Sequence, residues 1–95
     1  MKEVTVFATI TAKKEAVAQV LAELQILVPA VQQEPGCIAY KLHQNVRQPE
    51  LFHFYEIWGS QELLDQHAIA PALTAFKQKT AGLLTGLDVF VAKPV

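Results

Sequence analysis

Charge is scarce in this sequence. Asp, Glu, Lys and Arg make up 18% of its 95 residues, against roughly 25% in an ordinary globular chain. Acids and bases almost cancel, leaving a net charge of −1. No basic stripe is present to follow a phosphate backbone, so nucleic acid is excluded as an expected partner. Cysteine is reduced to Cys37, which excludes an internal disulfide. No apolar run approaches the ~20 residues that cross a bilayer. The first residues, MKEVTVFATI, pass straight into strand-like alternation without a cleavage-site pattern, so no signal peptide is expected. Together these absences point to a cytoplasmic protein with no membrane partner.

What the chain has in excess is apolar residues, 52% of the total, where roughly 45–50% is usual. Ninety-five residues form one expected domain, 1–95. A domain this short buries a smaller fraction of its surface than a large one. The excess is therefore expected to be covered by a second copy, because most soluble oligomers are symmetric homo-oligomers.

Periodicity orders the chain. Residues 3–11 alternate Val4, Val6, Ala8 and Ile10 with Thr5, Phe7, Thr9 and Thr11, a strand with two usable faces. Thr11 is placed to cap the next helix. There Val17, Val20, Leu21, Leu24, Leu27, Val28 and Val31 recur at three- and four-residue spacing. Pro29 is expected to kink or end that helix, because it lacks an N–H and crowds the preceding turn. Glu34-Pro35-Gly36 turns the chain into a second strand, 37–46, and Arg47-Gln48-Pro49-Glu50 connects it to a third, 51–58. Ser60 is a good N-cap for a helix over about 61–68. Pro71 starts another, through about Lys77. A loop from Thr80 to Gly86 leads to a fourth strand, 87–93, with Leu87, Val89 and Val91 on one face. Two strand–helix–strand units in series give an α+β, ferredoxin-like βαββαβ fold with an antiparallel sheet and helices on one face.

The third strand carries the sequence's chemistry. Alternation puts Phe52, Phe54, Glu56 and Trp58 on one face, three aromatics and one carboxylate. The following helix turns Leu63, Leu64 and His67 inward and Glu62, Asp65 and Gln66 outward. A helix folded straight back along the strand would set His67 roughly over Glu56. A desolvated carboxylate has its pKa raised toward neutrality, which suits a base. Glu56 or His67 could then deprotonate a hydroxyl, while Trp58, Phe54 and Tyr40 stack on a flat ring.

The joint order of Glu34-Pro35-Gly36-Cys37, Tyr40, His43, Tyr55-Glu56-x-Trp58, Leu64, His67, Pro71 and Phe76 resembles the antibiotic biosynthesis monooxygenase domain. The resemblance covers the whole chain and is closest to the small stand-alone bacterial branch, some of whose members are proposed to be quinol monooxygenases. It implies a homodimeric α+β barrel with a pocket between each sheet and its helices. It also implies oxygen chemistry that in some members uses neither metal nor flavin, with dioxygen and a small aromatic compound as reactants. Carried onto this chain, the expected catalytic pair is Glu56 and His67, with Trp58, Phe54, Tyr40 and Leu64 around the substrate and no cofactor. Two rival functions remain at this stage. One is an isomerase of a small oxygenated or phosphorylated metabolite, for which Lys41 and Arg47 are the candidate cations. The other is a binding module in which Glu56 and His67 serve stability alone.

Blander readings stand beside these. One register of the second and third strands pairs Glu56 with Lys41, and a one-residue slip reverses it. His67 could be a histidine satisfied by backbone, the aromatic stripe simple core, and Cys37 a small buried hydrophobe. His43 and His53 could face each other, but no histidine pair has a helical ligand spacing and no metal site is expected. Tyr40 and His43 fall on opposite strand faces. Light scattering at micromolar concentration is expected to return twice the chain mass, and a monomer mass would remove the second copy from this account.

Overall fold

The computed structural model describes residues 2–95. Its elements are β1 (Val4–Ala12), a 3₁₀ turn (Lys14–Ala16), α1 (Val17–Gln32), β2 (Cys37–Gln44), β3 (Leu51–Trp58), α2 (Gln61–Ala68), α3 (Pro71–Lys79) and β4 (Leu84–Ala92). The strands form one antiparallel sheet in the order β2-β3-β1-β4. This is the ferredoxin-like α+β arrangement that the alternation predicts.

Helix α1 buries Val20, Leu24, Leu27 and Val31, one stripe at helical spacing. Against it lie Val6, Ala8, Ile10, Phe52, Phe54 and Trp58. Four local expectations are corrected. Thr11 does not cap a helix: β1 runs on to Ala12, whose N–H donates to the Glu50 carbonyl at 2.8 Å, and the 3₁₀ turn intervenes before α1. Pro29 does not end α1, which continues to Gln32. Both Pro29 and Gln25 are exposed, so the carbonyl that the missing N–H would have met faces water. Strand β2 stops at Gln44, because the Asn45 side chain turns the chain by accepting from the N–H groups of Arg47 and Gln48, both at 3.0 Å. The fourth strand begins three residues before the expected Leu87 and takes Gly86 into its ladder.

The register decides what the sequence left open. Glu56 lies between Val6 on β1 and Tyr40 on β2. Lys41 lies opposite Tyr55, on the other face of the sheet. Glu56 and Lys41 are therefore not partners, and Glu56 points to the helices with Phe52, Phe54 and Trp58. All four are buried, alternating with half-buried neighbours.

Two turns close the site's end of the sheet. Ser60 caps α2 by accepting from the Leu63 N–H at 3.2 Å, as the sequence predicts. Gly36 has φ +82°, and its carbonyl accepts from the Gly59 N–H at 2.8 Å. A Cβ on Gly36 would lie 2.7 Å from the Leu63 Cβ. The turn after α1 therefore sits directly on the first turn of α2. Gly82, at φ +80°, has nothing within 4 Å of such a Cβ. Gly36→Ala is expected to lose about 2–5 kcal/mol by urea denaturation, from left-handed strain and overpacking together, and Gly82→Ala only about 1–2 kcal/mol from strain. Equal losses would show that the contact with α2 does not matter.

Candidate functional site

Between the sheet and the helices lies a cavity of about 240 Å³. Its walls come from every strand and helix: Val6, Ala8 and Ile10 from β1, Tyr40 from β2, Phe54 and Glu56 from β3, Leu27 from α1, Leu64 and His67 from α2, Phe76 from α3 and Leu87 and Val89 from β4. Leu87, Val89 and Lys77 are exposed, which sets the mouth on the β4 and α3 side. Of the six residues expected in the site, Glu56, His67, Phe54, Tyr40 and Leu64 line this space and Trp58 does not.

Trp58 is 0% exposed and lies behind the wall. Its indole Nε1–H donates to Glu56 Oε1 at 2.9 Å. Its ring stacks on the His67 imidazole, with centroids 4.5 Å apart and planes at 26°. It therefore supports two lining groups rather than touching the space they line. Tyr40, by contrast, does line it, as do Phe54 and Phe76. It packs on Phe54 at 4.6 Å and meets the His67 ring edge-on at 5.6 Å.

Glu56 and His67 share the cavity without bonding to each other. A helix lying straight back along its strand would set His67 above Glu56. Instead its ring lies over Trp58, two residues nearer the turn. The partner of His67 is Glu34, whose Oε1 is 2.9 Å from Nδ1. Glu34 comes from the turn between α1 and β2, and the sequence marks it only as the head of Glu-Pro-Gly. Nothing in the periodicity of α2 points to a partner 33 residues away.

Burial of Glu56 raises its pKa above the 4.5 of an ordinary glutamate, while the Trp58 hydrogen bond and the nearby His67 pull it partly back. Burial, with Glu56 and Glu34 close by, pushes the Tyr40 phenol far upward, so it stays protonated and can donate to a bound oxygen. Burial also pushes the Cys37 thiol up, helped by Glu34 and Glu56, which favours the neutral thiol over the thiolate. The result is an apolar cavity with one poised carboxyl, one imidazole and one neutral phenol.

The other polar groups lie elsewhere. Lys41 is on the outer sheet face and Arg47 in the β2–β3 connection; the cation bordering the cavity is Lys77. His43 does face His53, also on the outer face. His53 is engaged at both nitrogens, by Thr9 Oγ1 at 3.0 Å and by Asn45 Nδ2 at 3.1 Å. Among the described residues no three His, Cys, Asp or Glu side chains gather as metal ligands, and no helix is long and apolar enough to cross a membrane.

A ferredoxin-like α+β domain with an apolar cavity between sheet and helices, and a few acid–base groups facing it, is the class that fold and site define. The sequence pattern of the antibiotic biosynthesis monooxygenase family matches residues 3–79, and the chain belongs to that family. It is similar to a crystal structure described as an antibiotic biosynthesis monooxygenase, with 29% identity, 97% of this chain and 98% of that one covered, and a TM-score of 0.91. It is also similar to protein PA3566 from Pseudomonas aeruginosa, with 27% identity, 100% and 96% coverage and a TM-score of 0.94. A curated relative, the uncharacterized protein sll1783 of Synechocystis, is 28% identical over 81 residues, and this match spans 85% of the chain but 55% of that relative.

The raised pKa of Glu56 has a consequence for stability. Above pH 4.5 the unfolded chain releases this proton while the buried carboxyl keeps it. The folded state then holds more protons, so stability falls as pH rises from 4.5 to the folded-state value, by at most roughly 1.4 kcal/mol per pH unit. Glu56→Gln keeps an acceptor for Trp58 and has no proton to lose. In urea melts across pH 4.5–8 it is expected to gain on the parent as pH rises. Parallel curves for the two proteins would overturn the assignment.

Proposed function

We propose that the chain is a cofactor-independent monooxygenase that oxidises a quinol-like or polyphenolic small molecule. Membership of the family supports a monooxygenase-like function. The observation that carries the rest is Glu56: a carboxyl held among aromatics, facing an apolar cavity beside an imidazole and a protonated phenol. Such a cavity admits a flat ring and excludes water.

Oxidation of a quinol by dioxygen begins with an electron that the neutral quinol gives up poorly and its anion gives up readily. Glu56 or His67 takes the hydroxyl proton; the O–H bond breaks and its electron pair stays on the substrate oxygen. The anion reduces dioxygen by one electron, and recombination at a ring carbon gives a peroxide. Loss of water then leaves a hydroxyquinone. One oxygen atom enters the ring and the other leaves as water, with all four electrons coming from the quinol. Tyr40 donates to the developing oxyanion, and Phe54 and Leu64 hold the ring. Trp58 acts from behind by orienting Glu56 and His67.

The working unit in this proposal is a homodimer. The outer sheet face carries a cross-strand row of aromatics, Tyr55, Phe7 and Phe90, with no helix over it. Phe7 is 46% and Phe90 61% exposed. A second copy packed on this row would cover it, in keeping with the apolar excess of the sequence. The isomerase alternative gains nothing from Lys41 and Arg47, which lie away from the cavity.

Oxygen uptake with a series of hydroquinones tests the chemistry. Glu56→Gln and His67→Ala are each expected to lower kcat by about 10²-fold or more, the range of a lost acid–base group. Equal rates in parent and both folded variants would sink the assignment of this pair.

A further inference from the structure

His67 borders two spaces. Inside the fold it lines the cavity. On the other side it lines an open cleft with Glu34, Pro35, Leu63 and Pro71. Glu34 belongs to that cleft and not to the cavity. The bond from Nδ1 to Glu34 Oε1 therefore runs away from the cavity, toward water.

We propose that Glu34 is the positioning residue of the site, fixing the His67 imidazole in the tautomer that presents an unprotonated Nε2 to the cavity. The inference rests on the reading of His67 as a proton acceptor and names the group that makes it one. A carboxylate oxygen only accepts, so the Nδ1 facing it carries the ring hydrogen. A neutral imidazole with its hydrogen on Nδ1 has its lone pair on Nε2. No other described residue bonds to Nε2. Stacking on Trp58 and the edge contact with Tyr40 hold the ring plane, so Glu34 decides which edge faces inward.

The backbone explains why Glu34 is dependable in this role. Its N–H donates to the Val31 carbonyl at 2.9 Å, and its own carbonyl accepts from the Cys37 N–H at 3.2 Å. Pro35 and the left-handed Gly36 complete the turn, and Gly36 is pinned to Gly59. The fold thus brings one carboxylate to the outer edge of the ring from a different segment of the chain.

The ligand chemistry that fits is a weakly acidic hydroxyl, a phenol or an enol. Its O–H bond breaks, an N–H bond forms at Nε2, and the electron pair stays on the ligand oxygen. The imidazolium so formed has the Glu34 carboxylate 2.9 Å from its other nitrogen as counter-ion.

Long-range proton–nitrogen NMR on the ¹⁵N-labelled full chain tests this directly, with the His67 signals assigned by their loss in His67→Asn. With the ring neutral, His67 of the parent is expected as the Nδ1–H form, and Glu34→Ala is expected to move it to Nε2–H. A parent ring already in the Nε2–H form, or no change on removing Glu34, would overturn the proposal; the first reading needs no variant. In oxygen uptake Glu34→Ala is expected to lower kcat about tenfold or more with KM little changed. A tautomer that switches while His67→Ala keeps full activity would uphold Glu34 as the positioning group and retire His67 as the base, so the two readings fail separately.

Discussion

Among the described residues the carboxyl of Glu56 has one hydrogen-bond donor, the indole of Trp58. Much of the site follows from that one bond. A buried carboxylate needs several donors to replace the water it has lost. With one, it keeps its proton to higher pH and retains an oxygen able to engage a ligand. The indole that supplies the bond must be buried to reach it, which is why the tryptophan lies behind the cavity wall. Once there, its flat face becomes the floor on which the imidazole of His67 rests. The Glu56 carboxyl and the His67 imidazole are thus both held by one side chain that does not line the cavity.

The second constraint is the close approach of two turns. Gly36 and Gly59 meet through a backbone hydrogen bond, and Leu63 occupies the space a side chain on Gly36 would need. This contact joins the end of α1 to the start of α2. Through it, Glu34 reaches His67 and the cavity gains a closed end. The opposite end, at β4, stays open, with Leu87 and Val89 exposed. One end is closed and holds the carboxyl and the imidazole; the other is apolar and open.

Much of this fold can be read from alternation. Phe52, Phe54, Glu56 and Trp58 face inward because strands alternate, and Ser60 and Pro71 start helices for reasons local to each residue. The errors at Thr11 and Pro29 share a cause, which is that the surroundings of a residue override its local preference. Thr11 is a good cap left in a strand because a partner strand is there to pair with it. Pro29 sits where its lost hydrogen bond faces water. The site was half legible. Five of its six expected members line one cavity, because inward-facing residues near a strand's end gather there. What the sequence does not reveal is who bonds to whom. Trp58 looks like a wall and proves a support, and Glu34 looks like part of a turn and proves to hold a histidine. Such pairings depend on helix direction and on contacts across tens of residues, which no periodicity encodes.

The stacked Trp58 and His67 rings carry one more consequence. This is the chain's single tryptophan, so all indole emission from the protein originates against that imidazole. A protonated imidazole drains an excited indole far more effectively than a neutral one. The protein therefore contains its own optical indicator, an indole in contact with the two acid–base groups beside the cavity, His67 through its face and Glu56 through its N–H.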